Sequence, residues 1–102
     1  NTSISMEEDH GDLVVRKISI DNGEMTPLER NFETNTIVCV SEGAMELTVE
    51  DDYFELEKGD CHFIEKGEPH RMENIVSEVT EVIQVLFPYD PEDIEVLEDP
   101  YK

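Results

Sequence analysis

The chain has no Trp, only two Cys, and seven Lys and Arg against 27 Asp and Glu in 102 residues. Each shortage excludes something. So few cations cannot neutralise a run of phosphates, so nucleic acid is not an expected partner. An anionic membrane surface repels such a chain for the same reason. No apolar run approaches the ~20 residues of a membrane-spanning helix. No leader of positive, apolar and small residues heads the sequence, and the expected location is cytoplasmic. Two cysteines make no disulfide framework. Cys39 and Cys61 both lie in apolar, strand-like runs, where one disulfide is open to them and buried free thiols are the commoner fate.

The net charge is −20 and hydrophobic residues make up 37% of the chain. Those values alone would suit a disordered segment. The order of the residues argues otherwise. Short runs rich in Val, Ile and Thr alternate with turn residues, which is the pattern of many short strands. Leu13–Ile20, Thr36–Ser41, Ala44–Val49, Tyr53–Leu56, Cys61–Ile64, His70–Glu73 and Val79–Phe87 are the strand candidates. Asp21-Asn22-Gly23, Glu42-Gly43 and Lys58-Gly59-Asp60 are the turns between them. The expected fold is all-β, with about eight short antiparallel strands in a sandwich or barrel. Residues 1–12 are polar and aperiodic and read as a flexible tail, leaving 13–102 as a single domain. Pro91-Glu92-Asp93-Ile94 is expected to start a short helix, with Pro early and acids near its N-terminus. Met45, Leu47 and Val49 share one face of a strand, as do Ile83, Val85 and Phe87, and both sets are assigned to the core.

The stretch GDCHFIEKGEPHRMEN, Gly59 to Asn74, carries the identification. Its anchors are Gly59, Gly67, His70 and Asn74, spaced as in the second motif of the cupin superfamily, G-x5-P-x-G-x2-H-x3-N. Glu65 stands where that motif has Pro. The sequence resembles the first motif as well, G-x5-H-x-H-x3–4-E-x6-G, with both glycines kept as Gly23 and Gly43. The metal ligands between them are changed, and the family's two His and one Glu fall on Glu29, Asn31 and Thr36. Most closely, EKGEPHRMENIVSEVTEVIQV and EDIEVLEDPYK resemble the C-terminal cupin domain of type II mannose-6-phosphate isomerases, as does Gly43-Ala44-Met45-Glu46-Leu47-Thr48.

The resemblance implies a double-stranded β-helix, the cupin jelly-roll barrel. It implies a sugar or sugar phosphate in the barrel and, if the protein is catalytic, aldose–ketose isomerisation. Glu29 is then the base and His70 an acid or metal ligand. Glu29, Asn31 and His70 form the residual metal set, an O/O/N group suited to Mn or Fe better than Zn, and weak or absent as a site. Lys66, Arg71 and Asn74 are the candidate substrate-binding residues, although parity turns Arg71 away from His70. The open sheet edges of a small barrel point to a homodimer. The contrasting expectation is a non-catalytic cupin, a ligand-binding or oligomerising module that has lost its metal site.

Overall fold

The computed structural model describes residues 2–76 and 78–99, and among them there is no helix. The strands are β1 (Thr2–Asp9), β2 (Val14–Ile20), β3 (Leu28–Arg30), β4 (Asn35–Glu42), β5 (Ala44–Val49), β6 (Asp52–Glu57), β7 (Cys61–Ile64), β8 (His70–Asn74), β9 (Thr80–Phe87) and β10 (Glu95–Glu98). They build two five-stranded antiparallel sheets. The first has the order β1-β2-β9-β4-β7 and the second β10-β3-β8-β5-β6. From β2 to β5 and again from β6 to β10 successive strands alternate between the sheets, which makes the double-stranded β-helix.

The core lies between the sheets and is aliphatic. Ile18, Ile20, Val38, Val40 and Val82 from the first sheet meet Met45, Leu47, Val49, Leu56 and Met72 from the second. Period-two alternation places them there, as on β4, where Thr36, Val38 and Val40 are buried and the residues between them are not. Two side chains staple the sheets together. Thr80 Oγ1 on β9 donates to the carbonyl of Ala44 at 2.8 Å on β5. Asn74 Nδ2 on β8 donates to the carbonyls of Ile20, at 2.8 Å, and Glu78. Gly43 turns between β4 and β5 at φ +83°, and a Cβ there would lie 2.6 Å from Thr80 Oγ1. Only glycine accepts both the left-handed backbone and the close approach.

Several expectations need correction. The stretch read as a tail holds β1, which pairs with β2 from Thr2↔Ile20 to Asp9↔Val14. It shows no sequence period because it is exposed along nearly its whole length. Pro91-Glu92 forms a turn and leads into β10, not into a helix. β9 faces the opposite way from the reading: Thr80, Val82, Gln84 and Leu86 are buried, while Ile83, Val85 and Phe87 lie on the outer face. Both parity sets of that strand are apolar, so alternation alone does not choose between them. Cys39 and Cys61 are not core thiols. They sit opposite each other on β4 and β7 with Cα atoms 4.1 Å apart and form a disulfide on the outer face of the first sheet.

Candidate functional site

A cavity of about 420 Å³ opens between the two sheets at the β1 and β10 side. The first sheet contributes Arg16, Ile18 and Gln84, and the second contributes Thr26, Glu29 and Met72. Ile94, leading into β10, and Thr2, Ser3 and Ile4 of β1 form its rim. Arg16 on β2 pairs in register with Gln84 on β9, so both side chains project inward side by side. Glu29 enters from β3, and its register partner on β8 is His70.

The polar groups differ in how they are held. The Arg16 guanidinium donates from Nε, at 2.9 Å, and from Nη2, at 2.7 Å, to Glu7 Oε1. Nη2 also reaches the Tyr89 hydroxyl at 3.2 Å. That arrangement aims Arg16 without neutralising the whole of its fork. Gln84 is 7% exposed, and its amide makes no hydrogen bond among the described residues. The Glu29 carboxyl makes none either. Burial raises the Glu29 pKa above its ordinary value; the charge of Arg16 opposes this and that of Asp99 adds to it. Gln84 is buried and Glu29 half-buried, and both face one cavity, where water or a ligand can hydrogen-bond to them.

His70 is 5% exposed and is not part of the cavity wall. Its Nδ1 lies 3.1 Å from the Glu68 carbonyl. Burial pushes its pKa down, against a weaker upward pull from Glu68, and the imidazole is neutral near pH 7. Asn31 Nδ2 donates to the Asp93 carbonyl, and the Asp93 carboxylate in turn accepts the backbone N–H groups of Phe32, Glu33 and Thr34. This clamp fixes the segment that carries Ile94 over the cavity. Desolvation pushes the Asp93 pKa up, but the hydrogen bonds from Glu33, Phe32 and Thr34 together outweigh it and hold the pKa below its ordinary value.

The remaining predicted residues lie elsewhere. Lys66 is on the loop before β8, 3.9 Å from Glu33. Arg71 points out of the barrel and donates to the carbonyl of Thr26 and to Glu98. Asn74 is the inter-sheet staple described above. The structure therefore places Glu29 and His70 in register and gathers at the cavity, with Glu29 alone of the two, a pair that sequence reasoning passed over, Arg16 and Gln84. Their signal was present: each lies between apolar residues at i ± 2, Val14 and Ile18 about Arg16 and Val82 and Leu86 about Gln84. His62 also faces inward, its ring 4.3 Å from that of Phe54.

A cupin metal fits poorly here. Asn31 is committed to Asp93, and Thr36 is a weak donor. Among the described residues no group of three or more His, Cys, Asp and Glu side chains could hold a metal ion.

Comparison with known proteins agrees with this architecture. A protein of Methanocaldococcus jannaschii is 32% identical over 77 residues, 74% of this chain, and the chain spans 62% of that protein's length. The crystal structure of TT1209 from Thermus thermophilus superposes with a TM-score of 0.82 at 15% identity, covering 86% of this chain and 84% of the other. A sugar phosphate isomerase of the cupin superfamily from Silicibacter pomeroyi gives 0.70 at 20% identity, over 76% of this chain and 52% of that one. At such identities the structural matches speak for the fold. The cupin domain family itself matches residues 16–86, most of both sheets, and by that match the chain belongs to the cupin family.

Proposed function

We propose that this cupin binds a small sugar-type ligand in the cavity between its sheets and that Glu29 is its proton-handling group. The observation that carries this reading is the pair of half-buried Glu29 and buried Gln84, without side-chain hydrogen bonds among the described residues, facing one cavity. The Gln84 amide donates and accepts and the Glu29 carboxylate accepts, which suits vicinal hydroxyl groups. Arg16 adds a cation for a phosphate or carboxylate on the ligand. The net charge of −20 slows every anion, so a neutral sugar is favoured over a sugar phosphate. The resemblance to mannose-6-phosphate isomerases and the sugar phosphate isomerase among the structural neighbours support the same ligand class.

Chemically, aldose–ketose isomerisation moves a proton between adjacent carbons. Glu29 would take that proton as carboxylate and return it as acid. Its raised pKa brings the two forms closer in energy near neutral pH. Gln84 and Arg16 would hold the ligand oxygens, and Ile94 and Met72 would keep water from one side. No step passes through a metal.

Thermal shift with a panel of sugars, sugar acids and sugar phosphates tests the binding reading. One compound should raise the midpoint saturably, and Gln84→Leu should abolish the rise while the fold is retained. A flat response to the whole panel would overturn it. Deuterium uptake from solvent at a ligand carbon then tests the chemistry. Exchange that disappears in Glu29→Gln is the result for a catalyst, and binding without exchange is the result for the binding-only module.

A further inference from the structure

Apolar side chains that face inward between the sheets are buried along most of the barrel. Val38 and Val40 on β4, Leu47 and Val49 on β5, and Val82 on β9 show this. The side where the sheets end in β1 and β10 differs. Ile4 on β1 pairs in register with Ile18, so its side chain takes the inward face, yet it is 55% exposed. Val96 on β10 pairs with Glu29 and shares the cavity side of its sheet, yet it is 52% exposed. Ile94, which lines the cavity from the segment before β10, is 47% exposed. Three apolar side chains therefore stand uncovered around the mouth of a cavity that is polar further in, at Arg16, Gln84 and Glu29. Of the other rim residues, Ser3 pairs with Ser19 and turns to the outer face, and Thr2 brings a methyl as well as a hydroxyl.

We infer that the ligand is a sugar carrying an apolar aryl or alkyl group, and that this group packs between Ile4 of β1 and Ile94 and Val96 at β10. The inference rests on the sugar reading above and names the half of the ligand which that reading leaves undefined. Continuity is the first argument. Ile4 and Ile94 line the same cavity as Gln84 and Glu29, so an occupant that reaches the polar groups lies against them. Val96, the register partner of Glu29, stands about 5 Å from it between Cβ atoms. Size is the second. The cavity of about 420 Å³ falls in the ~300–1,000 Å³ range of sites for drug-sized ligands, and a bare monosaccharide is smaller than those. Chemistry is the third. Hydroxyl groups pressed against the three hydrocarbon side chains would lose water and gain no partner. An aryl or alkyl group removes apolar area from water on both sides of the contact. The neighbouring acids are already engaged, Glu95 by Arg30 and Glu7 by Arg16. A flat protein surface would cover the rim without entering the cavity, and would leave Gln84 and Glu29 unanswered.

Calorimetric titration of the intact chain with matched pairs of hexose derivatives tests it. Each pair is a methyl and a phenyl glycoside, or a 6-O-methyl and a 6-O-benzyl sugar, of glucose, galactose and mannose. In at least one pair the aromatic member should bind about tenfold tighter or more. Ile4→Ser and Val96→Ser should each bring that ratio towards one. Both side chains are about half exposed, so the replacements leave the core intact, and circular dichroism checks the fold. Phe63→Ser removes an exposed aromatic of the other sheet edge, on β7, and should leave the ratio as it is, which separates the mouth from general adsorption. Equal affinity within every pair that binds would overturn the inference and leave the sugar reading standing. So would a gain that survives both Ser variants at the mouth, or one lost in Phe63→Ser. Benzyl alcohol binding as tightly as the benzyl sugar, or no binding by any pair, would overturn the sugar reading and the inference with it.

Discussion

His70 and Glu29 are register partners with opposite pH behaviour. The folded His70 pKa lies below its ordinary 6.5 because burial disfavours the imidazolium. Its contribution to stability is therefore complete above that value and is lost as pH falls through the depressed pKa. Glu29 is the reverse: its folded pKa lies above the ordinary 4.5, so its contribution is present below that value and declines as pH rises through the raised one. His70→Gln should flatten the acid-side loss of the urea midpoint below about pH 6.5. Glu29→Gln should raise the midpoint at pH 7, because a desolvated charge disappears, while abolishing ligand-dependent proton exchange. A lower midpoint at pH 7 would mean that the carboxyl is not desolvated. Asp93 matters more for architecture. Asp93→Asn keeps the shape but removes the charge that gathers three backbone N–H groups, and should cost about 1–2 kcal/mol in urea denaturation. Gly43→Ala should cost about 1–3 kcal/mol, since it adds a methyl against Thr80 and strains a left-handed backbone.

At the scale of elements, strands were legible where burial is one-sided. β4 and β5 alternate buried and part-buried residues without a break, and their sequences show it. β1 and β10 were not legible. Both are edge strands, largely exposed, and nothing in an exposed edge forces an apolar period. β9 was found as a strand and given the wrong face, because VIQVLF is apolar on both sides. Its inward set is marked only by Thr80 and Gln84, and its outer set is apolar where the first sheet has its uncovered face. That reversal also hid Gln84 from the candidate site. The motif glycines and His70 were legible because turns and register need them, whereas Lys66 and Arg71 stood beside His70 in sequence but not in space. The disulfide was left open because two cysteines in two β-runs carry no register, and pairing of β4 with β7 supplies it. It closes a loop of 22 residues and ties edge strand β7 to its neighbour. Reduction should cost about 3 kcal/mol on the loop-entropy estimate, read as a fall in the urea midpoint, with Cys39→Ser/Cys61→Ser matching the reduced wild type.

For the whole molecule, charge is the largest opposing influence on the fold. A net charge of −20 on a chain whose Cα radius of gyration is 12.5 Å crowds carboxylates within a few screening lengths of one another. The row Glu55–Glu46–Glu73 is the sharpest case, since like charges directly opposite in a sheet repel. Two consequences separate general from local repulsion. Raising NaCl from low to about 1 M shortens the screening length to ~3 Å, so the thermal midpoint should climb with salt and then level off. Glu46→Lys turns the centre of the row into two attractive pairs and should add about 0.5–1.5 kcal/mol at low salt. Its advantage over wild type should shrink as salt rises, because screening removes the repulsion that the substitution relieves. A gain unchanged at high salt would assign the effect to packing or strand propensity. No gain at low salt would mean that the three carboxylates already splay apart into solvent.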